Sequence, residues 1–402
     1  MEKRPRVIHL VYSYAIEGPG GGIGRFVMDL CRLMDPEQFD IQTFALHPYN
    51  TFFEQENIKA LEAAGIQTFI APSWDPSRPY HSFWKATNYL VKLLSEHPAD
   101  IIHSHSEFTD IIALILKLRL RSPIILRTVH YGYRYEWRSK PLRRLLLTNF
   151  SYPLTFKREI GVSPSITQTL NQRRITKTSK QKALYIPNGI NIDRFRNLKS
   201  NREKLSSEFK LPDDAFIICS VGRLTEQKGF PYLLEAAKHV VQSIPESIFL
   251  IVGEGEQEAE LRSRIQQLGL EKQVILPGPR KDIESILSSC DLFVSSSLWE
   301  GLPTVILESM AASLPVVGTE IPGTTDLISH NWNGWLAPVM DGYALGETIH
   351  YAYQSRIRWP EIVRNANETI SKFSLSHITK QYQVLYRTVL QKSKEILTRA
   401  PD

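Results

Sequence analysis

Short apolar runs alternate with longer stretches in which apolar residues recur every three or four positions, and the pattern persists along most of the chain. Unbroken apolar runs of strand length, separated by helical periodicity, predict parallel sheets covered on both faces by helices. The first series of strand candidates is Val7–Tyr12, Ile41–Leu46, Thr68–Ile70, Ile101–His103, Ile124–Val129, Ile160–Val162 and Leu184–Ile186. Pro187-Asn188-Gly189 interrupts the series, and the polar stretch Asn191 to Glu208 follows. A second series runs Ala215–Val221, Ile248–Val252, Val274–Leu276, Leu292–Ser295 and Val316–Val317, with helices such as Phe230–Ser243 and Glu256–Leu268 between. Two α/β domains are expected, 1–190 and 191–374. The helical stretch Leu375–Thr398 lacks a strand partner and is expected to pack back on one half, the first being the better candidate.

Size agrees, since 402 residues exceed what one core usually supports. No stretch offers the ~18 uncharged apolar residues that a membrane span needs. Lys3, Arg4 and Arg6 precede an apolar run, Val7 to Ala15. That run contains His9, Tyr12, Ser13 and Tyr14 and no small-x-small site follows it, so a buried strand is expected instead of a signal peptide. Cys31, Cys219 and Cys290 are odd in number and widely spaced, matching neither a disulfide framework nor a metal site. They read as small core residues in a cytoplasmic protein.

Charge changes the picture more. Residues 114–182 carry sixteen Lys/Arg and two acids, a local +14 within a chain of net +6. From 131 to 158 the cations interleave with Tyr131, Tyr133, Tyr135, Trp137, Phe150, Tyr152 and Phe156. Such a stretch suits an anionic membrane surface, or else a solvated basic face over core aromatics. Nucleic acid is disfavoured, because no recognition module accompanies the charge.

The most specific chemistry lies in Trp299 to Glu308. Pro303 suits the first helical position, where a missing N–H costs nothing. The amides of Thr304 and Val305, at the positive end of the helix, offer a site for an anionic group. Glu308 follows among Val305, Ile306, Leu307 and Met310, where a carboxylate needs hydrogen bonds such as ribose hydroxyls supply. Glu300 could accept from a second polyol. Phosphate between two sugars describes a nucleotide sugar; the alternative is an amphipathic helix with Glu308 in solvent.

Other loops add to this. Gly222-Arg223 and Lys228-Gly229 follow the first strand of the second series. Gly222 permits close backbone approach, while Arg223 and Lys228 bring a planar fork and a point charge suited to a diphosphate. Gly253-Glu254-Gly255-Glu256 lacks the third glycine of a dinucleotide fingerprint, and its acids would repel a pyrophosphate, so it reads as a strand-to-helix turn. Gly20-Gly21-Gly22, after the first strand, matches neither the Rossmann nor the P-loop spacing. His103 and His105, then His130, stand at two strand ends and aim at one crevice if those strands neighbour each other. No carboxylate or cysteine stands at ligand spacing beside them, and no Asp-x-Asp is present. Charge neutralisation without metal or cofactor is expected.

Taken in order, these motifs resemble the family-4 (group 1) glycosyltransferases, retaining enzymes of the GT-B fold. The resemblance rests on Gly20-Gly21-Gly22, His103-Ser104-His105, His130, Val162-Ser163, Pro187-Asn188-Gly189-Ile190, Val221-Gly222-Arg223-Leu224, Gln227-Lys228-Gly229, Gly253-Glu254-Gly255 and, most specifically, the Glu-x7-Glu of Glu300 and Glu308. It implies an α/β protein with two Rossmann-like domains whose parallel sheets face a central cleft. Arg223 and Lys228 would hold the donor diphosphate, and Gly222 would let it approach. Glu300, Gly301, Leu302, Pro303 and Thr304 would hold the donor sugar and phosphate, and Glu308 the ribose. His130 would contact the donor sugar, Gly21 and Gly22 would approach the phosphates, and His103 and His105 would lie toward the acceptor.

The implied reaction moves a sugar from a UDP- or GDP-linked donor to a glycan or lipid-linked acceptor, in exopolysaccharide, capsule or envelope synthesis. It proceeds with retention and without metal. A cytoplasmic location is expected, and the basic–aromatic stretch 131–158 allows a peripheral position at the inner membrane face. Ser313 stands where the family commonly has glycine, Asn191 and Asp326 where it has Asp and Glu. A nucleotide-sugar epimerase of similar architecture, and a non-catalytic nucleotide-sugar-binding protein, are the alternatives.

Overall fold

A computed structural model describes residues 3–15, 21–75, 77–120, 123–131, 146–178, 182–196, 198 and 200–399. Gly20 of the glycine loop, and Tyr133, Tyr135 and Trp137 of the basic–aromatic stretch, lie outside these residues. The chain divides into two compact units, Met1–Gly189 with Leu375–Asp402, and Ile190–Ser374.

The first unit carries seven parallel strands: β1 (Arg6–Val11), β2 (Asp40–Ala45), β3 (Gln67–Ile70), β4 (Ile101–Ser104), β5 (Ile124–Val129), β6 (Arg158–Gly161) and β7 (Leu184–Tyr185). Their order is β3-β2-β1-β4-β5-β6-β7, so chain direction across the sheet reverses between β1 and β4. Period-two alternation sorts the side chains. Ile8 and Leu10 join the layer containing Ala86, Leu90 and Ile112 of the helices Pro79–Glu96 and Glu107–Arg119. Val7, Val11, Ile101 and Leu126 face the opposite layer, formed by Val27 and Leu30 of the helix Gly21–Leu33 and by Ile378, Tyr382 and Tyr386 of the final helix, Leu375–Arg399. The last helix is thus part of the first core.

The second unit repeats the scheme with β8 (Phe216–Val221), β9 (Ser247–Val252), β10 (Val274–Ile275), β11 (Leu292–Ser295), β12 (Val316–Thr319) and β13 (Trp335–Ala337). The order β10-β9-β8-β11-β12-β13 places its reversal between β8 and β11. Among the described residues, twelve of the thirteen strands fall on the predicted runs, with ends displaced by a residue or two. The thirteenth, β13, was not predicted. It is three residues long, pairs with β12 and buries Trp335 completely.

Part of the basic stretch is core, not surface. Arg127 lies between Asp110 (2.8 Å) and Glu159 (3.4 Å), with its guanidinium 4.1 Å from the centre of the Tyr152 ring. Arg173 donates to both oxygens of Glu159, and all four charged groups are buried. Tyr152 and Phe156 pack inside with them, while Phe150 and Leu154 are exposed. Within 131–158, among the described residues, Tyr131 and Phe150 are exposed, Tyr152 and Phe156 are buried, and Lys157 and Arg158 are partly exposed. No helix of the described residues is long and apolar enough to cross a membrane.

Candidate active site

In open parallel sheets the loops on either side of the reversal point diverge and leave a crevice at the strands' carboxyl ends. In the second unit those loops are Gly222–Gly229, after β8, and Ser296–Pro303, after β11. Lys228 and Glu300 meet there, Nζ to Oε1 at 2.6 Å, both largely buried. Ser297 donates to the same carboxylate oxygen (2.9 Å), and Gln227 donates to the other (3.3 Å) and to the carbonyl of Trp299 (3.0 Å). A carboxylate removed from water needs several such donors, and Glu300 has three. Arg223 is half-buried in the same loop.

Glycine makes this packing possible. A Cβ on Gly222 would lie 3.0 Å from Lys228 Cε, so the lysine stem lies over bare backbone. A Cβ on Gly253 would stand 1.9 Å from the Gly222 carbonyl oxygen, on Gly255 2.4 Å from that of Leu224, and on Gly229 2.2 Å from that of Ser296. Gly222 donates to Val252 (3.0 Å) and Leu224 to Glu254 (2.7 Å), which extends the β8–β9 pairing into the loops. The turn at Gly253–Gly255 is structural, as its sequence suggested. It buttresses the Arg223 loop from behind.

Pro303 caps the helix Thr304–Ala311 and does not occupy its first turn; its ψ of 91° is extended, and its carbonyl accepts from Ile306 (3.0 Å). The shift of one residue leaves Thr304 and Val305 as the first two helical amides, which by helix geometry have no intrahelical acceptor. Gly301, Leu302 and Pro303 are buried beneath this turn, and Gly323 closes over the carbonyls of Glu300 and Gly301. Glu308 is half-buried one turn along. Lys228, Glu300 and the amide end of the helix therefore belong to one crevice in the second unit.

In the first unit the reversal point lies between β1 and β4, and histidines gather there. His9 of β1 is in register with His103 of β4. His9 Nδ1 meets His105 Nε2 at 3.0 Å, and His105 Nδ1 meets His130 Nε2 at 3.3 Å. Tyr386 of the final helix bridges His103 Nδ1 (2.7 Å) and His9 Nε2 (3.3 Å). His103 Nε2 bonds the hydroxyl of Thr128 (2.9 Å), which meets Tyr382 (3.2 Å). Burial pushes His9 and His130 down to about 3, and His103 and His105 well below the usual histidine value, so all four rings are neutral near pH 7. The Asn188 side chain acts in the other direction on His130.

His103 and His105 were expected to lie toward an acceptor. They are buried, with both nitrogens of each bonded to other side chains, so they support His130 instead. His9, Tyr382 and Tyr386 were not anticipated. The signal was available: polar residues on one face of β1, β4 and β5, opposite tyrosines spaced i, i+4. The ligand atoms of His9, His103 and His105 lie within 4.8 Å of one another, near enough to share a divalent ion, but the rings already satisfy one another. Gly21 and Gly22 open the helix after β1; space around Gly22 is clear, and the tight approach belongs to Gly24, whose Cβ would lie 3.0 Å from the Ser13 carbonyl oxygen. A second unanticipated group is Tyr12, His47 and Trp74, with ring centres 4.2 Å (Tyr12 to His47) and 3.6 Å (His47 to Trp74) apart at neighbouring strand ends.

The family described as Glycosyl transferases group 1 matches residues 201–369, and that described as Glycosyltransferase Family 4 matches residues 20–194. The UDP-Gal:alpha-D-GlcNAc-diphosphoundecaprenol alpha-1,3-galactosyltransferase of Escherichia coli is 29% identical over 334 residues, 80% of this chain and 81% of that one. A Campylobacter jejuni N-acetyl-D-galactosaminyltransferase, named for a PP-undecaprenol glycan, is 24% identical over 92% of this chain and 96% of its own. Among solved structures, Anabaena HepE in complex with UDP-glucose superposes with a TM-score of 0.79 at 21% identity, covering 95% of this chain and 99% of that one. Sucrose-phosphate synthase from Thermosynechococcus elongatus gives 0.80 at 19%, covering 97% and 100%. These likenesses extend over both units and show the GT-B fold.

Proposed function

The chain belongs to the group 1, family-4 glycosyltransferases, and we propose that it moves a sugar from a nucleotide-sugar donor to a lipid-linked glycan with retention of anomeric configuration. The observation that carries the donor half is the crevice of the second unit. There Arg223 and Lys228, the free amides of Thr304 and Val305, and two carboxylates stand at the sheet's reversal point. Cations and helix amides match a diphosphate, while Glu300 and Glu308 accept from sugar and ribose hydroxyls. Glu300 holds Lys228 in place. A diphosphate would share that ammonium, leaving Glu300 a lone pair for a hydroxyl.

The leaving group is itself a diphosphate, so catalysis consists of positioning the reacting atoms and stabilising the departing charge. No metal is required in this reading. The departing phosphate oxygen takes the acceptor's proton, and His130 contacts the sugar being transferred. The acceptor half is supported by the E. coli and C. jejuni relatives, both named for undecaprenol-linked substrates. Envelope or exopolysaccharide synthesis at the inner membrane face is the setting this implies.

Arg223→Ala is the informative variant, because Lys228→Ala and Glu300→Ala each strand a buried partner. Its turnover should fall roughly 100- to 1,000-fold, the usual cost of removing one such donor. Its circular-dichroism spectrum should be unchanged. Undiminished transfer would count decisively against the assignment. A thermal-shift screen of UDP- and GDP-sugars would read the base and sugar together, since tight binding raises the midpoint by mass action.

A further inference from the structure

The first unit carries a groove of about 550 Å³ between the outer strand of its sheet and the final helix. β7 ends the strand order, so among the described residues its outer edge pairs with no further strand. Leu184 and Tyr185 stand on that edge, 37% and 41% exposed. Across the groove the final helix shows two stripes. Ile378, Tyr382, Leu385 and Val389 enter the core. Gln381, Val384, Thr388 and Lys392, also spaced three or four positions apart, line the groove, and Val384 is 54% exposed. A helix that only covered a core would keep its apolar residues on the first stripe.

Cations stand around this apolar floor. Lys157 and Arg158 line the groove at the start of β6, and Lys380 and Lys392 line it from the helix. The two helix lysines are twelve positions apart, ~18 Å along the axis. Lys and Arg stems lie along apolar surface while their charged heads stay in water. None of the residues lining the groove is acidic, so nothing in its wall neutralises the rim. An apolar floor within a rim of cations is complementary to an anionic amphiphile, whose hydrocarbon meets the floor and whose phosphates meet the rim. A nucleic-acid strand would need rings on which to stack its bases, and Tyr185 is the one aromatic residue of the lining. A peptide adding itself to the sheet would need a longer edge than the two residues of β7. We propose that this groove docks the first unit on the headgroup layer of an anionic phospholipid bilayer. The docking element is thus built mainly from β7 and the final helix, and shares only Lys157 and Arg158 with the basic region around 131–158. Docking is independent of donor chemistry; only its benefit to turnover rests on the reading of the acceptor as lipid-linked.

Flotation with vesicles, in the absence of donor and acceptor, tests this on the full chain. The wild type should float with vesicles of phosphatidylcholine and phosphatidylglycerol in equal parts, less so as salt is raised, and not with phosphatidylcholine alone. Each cation near such a surface is worth roughly fivefold in binding, so Lys380→Gln with Lys392→Gln should weaken it roughly 25-fold. Val384→Asp, an exposed substitution that leaves the circular-dichroism spectrum unchanged, should abolish it. Lys238→Gln with Lys272→Gln, two exposed lysines of the second unit, should leave it intact. Transfer to a detergent-solubilised acceptor should be unchanged in all of these variants. Undiminished flotation of the Lys380/Lys392 variant, or of Val384→Asp, overturns the proposal, as does equal binding to phosphatidylcholine or none to either vesicle. Flotation with phosphatidylcholine only when it carries a prenyl diphosphate also overturns it, because the occupant would then be an acceptor lipid and not the bilayer. A wild type that floats as expected but transfers no sugar would overturn the proposed function and leave the docking surface standing.

Discussion

Glu159 keeps two guanidinium groups in the core of the first unit, those of Arg127 and Arg173. Removing the shared partner of a buried ion network costs about 3–5 kcal/mol, because the remaining charges stay desolvated. Glu159→Ala should lower the first unit's unfolding free energy by that amount, read as a lower urea midpoint, while the second unit's transition stays in place. Ser313 presents the opposite case. It adopts φ 61° after the helix Thr304–Ala311, a conformation in which a β-carbon is strained. Ser313→Gly relieves ~1–2 kcal/mol of strain and gives back part of it through a freer unfolded chain. A net gain of up to about 1 kcal/mol, read as a higher melting temperature, is expected. At this scale the sequence exposed Lys228, Glu300 and Glu308, because their neighbours made charge conspicuous. It concealed His9, Tyr382 and Tyr386, whose partners lie from 96 to 377 positions away, and it gave no sign of the buried partners of Arg127 and Arg173.

Elements were more legible than residues. A strand buried on both faces is a run of Val, Ile and Leu, and twelve such runs stood out. Trp335–Ala337 did not, since three residues after Asn333-Gly334 carry no period, and only the pairing with β12 makes them a strand. The loops carry a feature that spacing hints at and only coordinates measure. Those after β8, β9 and β11 are locked together where glycine backbones touch. Gly253→Ala would drive a methyl group into the Gly222 carbonyl at a φ of 148°. The Arg223 loop must then retreat. Stability should fall by more than about 1 kcal/mol, and transfer should fall further than stability, measured as kcat at a temperature where the variant is folded.

Across the whole molecule, the buried imidazoles make stability depend on acidity. An unfolded histidine takes up a proton below pH 6.5, whereas folded His9 and His130 resist protonation down to about 3. The unfolded state therefore binds more protons in that window, and stability is lost as pH falls. Each ring contributes about 1.4 kcal/mol per pH unit. His103 and His105 are displaced in the same direction, so the first unit should lose cooperativity well before the second as pH drops from 6.5. Acid titration followed by hydrogen exchange in both units would show this order. Equal sensitivity in the two units would contradict it.

The placement of Leu375–Arg399 in the first core has a consequence for synthesis on the ribosome. Domains generally fold in the order in which they emerge. Here the leading half waits, with the faces of Val7, Ile101 and Leu126 lacking their cover, until the trailing half has been translated in full. The second unit, Ile190–Ser374, is continuous and can close as soon as it is released. The nascent chain should therefore mature back to front, its early half depending on chaperones until Leu375–Arg399 has emerged.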